Sequence, residues 1–556
     1  MTFRTKWQIA GTIKTVTPMH IGSGEVLRDR FATAPGSSGK AVEVRAVRVD
    51  KDQRPIIPGT ALKSQLHKWA SRSGALTSDV VTALFGAPAP PGGLTSVTGT
   101  GGKVSFLDAV APDQALPYVQ TAPGVRPPRE SAIPGWDGNR MTGIATHNAI
   151  DPVTGTVADE LLFHEEFVPP GVTFDVRLYA DGLTDEECAA LLFVLEGLND
   201  LQPAHHAPDD SRAPGERVVL GSSSGAGWGR CRWLVGDIRK LGAKRVEAWL
   251  KSQGDDPASP WAQDLAVVGG ERAALNRAKQ QLVELARTIP NDGRTRASAS
   301  LHVQILIEER FAVLDPTRSG PGSGEGGESA RLRLSRDGSG RAVLPWSSFH
   351  GVLRSTAARI LRTRGVEACE HGCAPVTDIG QARRRVKVDP GREAPMCPVC
   401  RVFGTTGWAS TLSGNDLVPT VASPAPTTQE FIAVCRFTGG GAKGLKFGAE
   451  GLDRPSLQGG LRIDRRRLDL IGAGAWAPAL LAFALRDIAE GDVQLGNSVG
   501  PMWGRASAIT CSAIDSTSVD LASLIGGAGQ SDAATAFPAL MAFDELCTRE
   551  CGGVHA

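Results

Sequence analysis

The segment Leu220–Arg230, LGSSSGAGWGR, returns as Leu495–Arg505, LGNSVGPMWGR, with seven of eleven positions identical and an offset of 275 residues. A chain that repeats one loop so far along must build the surroundings of that loop twice, which restricts it to two like modules in tandem. A second match supports this: an offset of 287 residues pairs RPIIPGTALKSQLHKWA (Arg54–Ala70) with RAVLPWSSFHGVLRSTA (Arg341–Ala357). Each reads as a short apolar strand, a proline turn and a helix, with Thr60 and Ser347 as expected N-caps. Strands precede both, in WQIAGTIKTV and SLHVQILIEERFAV, and apolar segments flank both glycine loops. A structural duplication without shared activity is the plain alternative. The repeated pieces, however, are loops and helix starts, where function concentrates.

At 556 residues the chain exceeds one ordinary core, and 41% apolar residues suffice for two. Between the modules, GAKRVEAWL and ERAALNRAKQQLVELART read as amphipathic helices broken by GDDPASP. The expected division is therefore 1–240 for the first domain, 241–296 for a helical linker or insertion, 297–514 for the second domain, and 515–556 for a tail with one helix. The formal charge of +1 excludes a partner held by bulk electrostatics alone. No apolar run is long enough to span a membrane, and the N-terminus has no signal-peptide pattern, so a cytoplasmic location is expected. Four of the ten cysteines fall between Cys369 and Cys400. Two close pairs, Cys369/Cys373 and Cys397/Cys400, suit tetrahedral thiolate coordination of a structural zinc, with His371 as an alternative ligand. The first module lacks this cluster. The scattered cysteines read as packing residues.

HIGSGE after the first strand, IIPGTALKSQL, THNAIDPVTGTVADELLFHEEFVPPGVTF, LGSSSGAGWGR and, in the second module, CPVCRVFGTTGWAS resemble the RAMP superfamily. More narrowly they resemble backbone subunits of type III CRISPR effector complexes (the Csm/Cmr type), as a tandem fusion similar to those of types III-D and III-E. The resemblance implies an α+β fold: two modified ferredoxin-like or RRM (βαββαβ) domains with hairpin thumbs, plus a zinc-binding insertion in the second. It also implies partners, namely guide RNA (crRNA), complementary target RNA, a large polymerase-cyclase subunit, a small subunit and further backbone subunits, with no membrane.

On this reading the glycine loops cradle guide phosphates through main-chain amides that no Cβ blocks. Gly221, Ser222, Ser223, Gly225, Gly227, Gly229 and Arg230 supply that surface in the first module. Gly496, Ser498, Gly500, Gly504 and Arg505 supply it in the second. A turn between helix and strand is the bland alternative. The helix starts favour anions; Thr60, Lys63, Ser64, His67 and Lys68, and then Ser347, Ser348, His350 and Arg354, resemble phosphate-contacting residues, against a solvated basic face. The family's catalytic aspartate lies between its first strand and first helix and, with a divalent cation (Mg²⁺ or Mn²⁺), assists attack of the target's 2′-OH. Asp29 and Asp315 are the candidates; Asp50 and Asp337 read as turn residues. The segment from Pro112 to Met141 is expected to form the first thumb, with THNAIDPVTG at its base and a turn at Asp151–Pro152. LKFGAEGLDRP marks the second thumb. Three functions follow: an RNA-guided endoribonuclease backbone, a non-cleaving guide scaffold, and a ribonuclease that processes precursor guides through His20 or His67.

Overall fold

The structure is a computed structural model describing residues 4–28, 43–87, 99–114, 119–120, 130–131, 133, 135–150, 157–199, 218–223, 225, 227–252, 266–288, 298–314, 330–336, 341–369, 373–374, 396–420, 425–496, 503–513 and 533–551. In the first module, β1 (Lys6–Thr15), β2 (Gly22–Leu27) and β3 (Val44–Val47) lead to α1 (Gly59–Ala70). The chain continues through β4 (Val104–Phe106), β5 (Ala109–Val110), the hairpin strands β6 (Gly143–Ile150) and β7 (Val157–Phe167), β8 (Thr173–Asp181), α2 (Asp185–Glu196) and β9 (Cys231–Leu241). Two helices follow, α3 (Ala243–Ser252) and α4 (Gly269–Thr288).

The main sheet runs β9–β1–β8, with β4 and β5 both on the outer side of β8. β1 is central, pairing antiparallel from Lys6↔Asp181 to Lys14↔Thr173 on one side and from Lys6↔Leu241 to Thr15↔Cys231 on the other. With α1 and α2 at the two crossovers this is βαββαβ in spatial order 4-1-3-2. β8 shows why the chain builds it: TFDVRLYAD alternates buried and exposed residues, a period of two with one face on the core. α2 starts in a capping box, with Thr184 Oγ1 accepting from Glu187 N at 3.1 Å and Glu187 Oε2 accepting from Thr184 N at 2.9 Å.

The second module repeats the plan with β10 (Ser298–Ile307), β11 (Ala330–Leu332), α5 (Trp346–Thr363), α6 (Pro398–Phe403), β12 (Leu412–Gly414) and β13 (Val418–Pro419). There follow the hairpin strands β14 (Thr427–Val434) and β15 (Gly441–Asp453), then β16 (Ser456–Asp464), α7 (Arg465–Leu470), α8 (Ala477–Ala489), β17 (Ala506–Ala513) and, beyond the module, α9 (Ala533–Cys551). Its sheet runs β17–β10–β16 with β12 and β13 against β16, again 4-1-3-2. Each module has its own apolar core. α4 joins the first through Leu275 and Val283, and α9 joins the second through Phe543 and Leu546.

Two local expectations change. The N-caps are Pro58 and Pro345, not Thr60 and Ser347, and no side chain of the helix start caps either end. A distant carboxylate does so instead: Asp108 Oδ1 accepts from Gly59 N and Asp416 Oδ1 from Trp346 N, both at 2.8 Å. Proline at N-cap fixes φ for helix entry but offers no side-chain acceptor, so that acceptor comes from the next strand segment. THNAI, expected at the base of a thumb, takes a defined place in a sheet. It is the ascending strand of the long β6/β7 hairpin, paired from Gly143↔Phe167 to Ile150↔Val157, while Asp151–Pro152 lies outside the described residues. LKFGAEGLDRP forms β15 and the turn after it.

Candidate nucleic-acid interface

The two glycine loops have the same backbone geometry. Leu220 N donates to Gly229 O at 2.9 Å and Leu495 N to Gly504 O at 2.8 Å; Gly229 N then donates to Pro18 O and Gly504 N to Arg310 O. A Cβ at Gly229 (φ +81°) or Gly504 (φ +76°) would overlap the Leu220 or Leu495 carbonyl oxygen, so the loop closes only with glycine there. Gly221 and Gly496 close in the same way on the carbonyls of His20 and Ala312. Most of the repeated glycines thus serve the close approach of loop to strand. The outer side is left to Gly221, Ser222 and Gly225, which are exposed. Ser223 takes φ +57°. Ser498 and Gly500 lie outside the described residues.

Trp228 packs on Phe167 and His147, and Trp503 on Phe431, anchoring each loop to its hairpin. Arg230 is buried and does not face an open groove. Its Nη1 donates to Asn415 Oδ1 of the second module at 3.0 Å, and Gly227 lies against the Gly414 carbonyl. The first glycine loop is therefore also the joint between modules. Arg505 instead pairs with Glu308 at 3.2 Å.

Thr60 and Ser64 line a cleft of about 590 Å³ together with Ile21, Gly22, Arg48 and Asp108, where the loop after β1 meets the start of α1. Lys63 follows on the half-buried side of the helix, and the His67 ring packs on Phe85 at 5.2 Å. Lys68 is exposed, and partial desolvation, then the charges of Arg72 and of Arg467 from the second module, lower its proton affinity. In the second module the corresponding residues turn inward. His350 bonds Ser410 Oγ through Nε2 at 3.0 Å, and burial, aided by Arg354, pushes its imidazole down to about 4. Arg354 donates to Gly404 O at 2.7 Å and to Cys400 Sγ at 3.2 Å. Ser347 is exposed and Ser348 half-buried.

Cys369, Cys373, Cys397 and Cys400 bring their four sulfurs within 4.8 Å of one another, the requirement for a tetrahedral metal. Cys397 is the N-cap of α6, and its sulfur accepts from Cys400 N at 3.5 Å; Cys400 Sγ accepts from Cys373 N at 3.3 Å. Hydrogen bonding from Cys369, then Cys373, lowers the Cys397 thiol to about 6 and Cys400 further. Amide and guanidinium donors around thiolates are the surroundings a bound zinc needs. The four cysteines fit it; His371 lies outside the described residues, as do Asp29 and Asp315. Cys188 and Cys511 are raised to about 12 by burial, as expected of packing residues.

Sequence reading missed the polar centre behind the first cleft. Glu166, fully buried, accepts from Arg140 Nε at 2.8 Å, Arg140 Nη2 at 2.9 Å, Thr142 Oγ1 at 2.6 Å and Val47 N at 2.8 Å. Its counterpart Glu450 accepts from Leu334 N at 3.2 Å. His20 Nδ1 donates to the Glu166 carbonyl at 2.6 Å, so HIG is a structural tie to the hairpin strand β7. Glu166 and Glu450 are 284 residues apart, an offset matching neither repeat seen in the sequence, which is why the pair was not visible there.

Two 4-1-3-2 modules, each with a long hairpin and a glycine loop locked to the first strand's exit, define a tandem protein of the RNA-recognition architecture. The family model described as RAMPs, RAMP superfamily, matches residues 12–232 and 311–501, so the chain belongs to the RAMP superfamily and carries its domain twice. No curated protein matches the chain. Membership suggests a CRISPR-associated, RNA-binding function. Among the described residues no helix is long and apolar enough to cross a membrane.

Proposed function

We propose that this chain is a guide-RNA-binding backbone subunit of a type III CRISPR interference complex, which binds and cleaves complementary target RNA in the cytoplasm. The observation that carries the reading is the duplicated RAMP domain with its loop rebuilt in the same hydrogen bonds. Each domain, within 1–240 and 297–514, occupies one position along the guide. Phosphates run past the exposed side of each glycine loop and the start of α1 or α5, where Thr60, Ser64 and Arg48 line the first cleft. The segment 112–141 and the β14/β15 hairpin act as thumbs between guide and target. At the turn of β14/β15, Phe437 is 99% exposed beside Arg436, a side chain suited to displacing a base. Zinc at Cys369, Cys373, Cys397 and Cys400 is structural: four protein ligands leave no open position.

Cleavage rests on Asp29 and Asp315, each in a segment between first strand and first helix, with Mg²⁺ or Mn²⁺ aiding attack of the target's 2′-OH. The test is incubation of the assembled complex with labelled complementary RNA and Mg²⁺. Cuts at a regular spacing, each lost in Asp29→Ala or Asp315→Ala, are expected. Binding without cleavage in the wild type would make the chain a scaffold, and cutting of precursor guide by the isolated chain would make it a processing enzyme.

A further inference from the structure

Each module is a control for the other. Strand register places Arg45 beside Glu165 across β3 and β7, and Leu332 beside Ala449 across β11 and β15. It places His147 opposite Phe163 and Phe431 opposite Phe447. The ring pairs superpose in kind, with centroids 4.9 Å apart at 21° in the first module and 5.1 Å at 15° in the second. The framework is thus satisfied by Leu, Phe and Ala at three positions where the first module has Arg45, His147 and Glu165.

That exchange is costly without a use, because Glu165 is a buried carboxylate. Its neighbours are Arg45 Nη1 at 3.4 Å, Ser223 Oγ at 3.5 Å and His147 Nε2 at 3.6 Å, all longer than an ordinary bond to a carboxylate. Unlike Glu166, it accepts no bond shorter than 3.4 Å from the described residues. Beside it Phe163 is 41% exposed, and the mainly exposed Arg45 guanidinium lies 5.1 Å over the Phe163 ring. A carboxylate held only by long contacts, a cation at the surface and an exposed ring are three elements that suit recognition of a ribonucleotide.

We propose that Arg45, His147, Phe163 and Glu165 form a ribose-reading subsite peculiar to the first module. Glu165 accepts from a 2′-hydroxyl, Arg45 meets the adjoining phosphate, Phe163 meets the base, and His147 holds the carboxylate in place. The subsite rests on the RNA-binding reading above and adds to it a discrimination of RNA from DNA at one nucleotide. The test measures binding of the full chain to a single-stranded RNA and to the same strand made 2′-deoxy one position at a time. One position is expected to lose about tenfold in affinity, the size of one charge-assisted hydrogen bond. The triple variant Arg45→Leu, His147→Phe, Glu165→Ala carries the second module's own residues, so its packing has a precedent; it should bind with no such position. Glu165→Gln, which keeps the shape, should weaken the discrimination. RNA binding by the wild type with no sensitive position, or the same sensitive position in the triple variant, overturns the subsite and leaves the RNA-binding reading standing. No RNA binding by the wild type overturns both.

Discussion

Arg140 and Glu166 are the most consequential pair of side chains in the first module. Burial works against the Arg140 charge, yet its bonds to Glu166 hold its proton affinity above the ordinary value. Breaking such a pair from one side leaves an uncompensated buried charge, so Arg140→Ala should cost about 3–5 kcal/mol in a denaturant titration. The same change at exposed Arg48 should cost little. His350 sets a pH dependence. Its folded imidazole titrates near 4 against 6.5 when free, so the unfolded chain binds the extra proton between those values. Stability of the second module should hold above pH 6.5 and fall as pH drops toward 4. His350→Gln should flatten that slope in thermal melts taken across this range. Neither feature was legible in the sequence. A strand glutamate reads as solvent-facing, and His350 reads as a basic helix-start residue until α6 covers it.

Whole elements were easier to foresee, because period and punctuation are local. The strands WQIAGTIKTV and SLHVQILI, the first crossover helix of each module (α1 and α5) and the helices between the modules follow from pattern alone. The helix caps did not, since Asp108 and Asp416 lie 49 and 70 residues from the amides they accept. The cysteine cluster was legible for the opposite reason: metal chemistry forces ligand spacing into the sequence. Its stabilising role can be measured at the level of the element. α6 carries two of the four cysteines, counting its N-cap, and contributes Val399, Val402 and Phe403 to the core, so removal of zinc by a chelator should loosen the second core. A drop in melting temperature with release of one zinc per chain is expected, and Cys400→Ser should reproduce it. Unchanged melting with no metal released would sink the assignment.

At the level of the molecule, the first glycine loop both completes its own module and docks on the next. Arg230 reaches Asn415, which sits beside Asp416, the residue that caps α5. The joint is thereby wired to the same strand segment that positions the second module's helix start. The repeat in the sequence announced two loops of one design but not this second use, because the difference lies in what they meet: Gly227 has Met502 as its counterpart. Two separate cores would unfold independently if nothing joined them. Asn415→Ala removes one acceptor from a buried guanidinium, at a cost of about 1–3 kcal/mol. It should split or broaden the calorimetric transition and leave each module's own register intact. A guide that spans both modules should restore a single sharp transition, since a ligand gripping both halves couples them again by mass action. If the variant melts as sharply as the wild type, the modules are joined by something other than this loop.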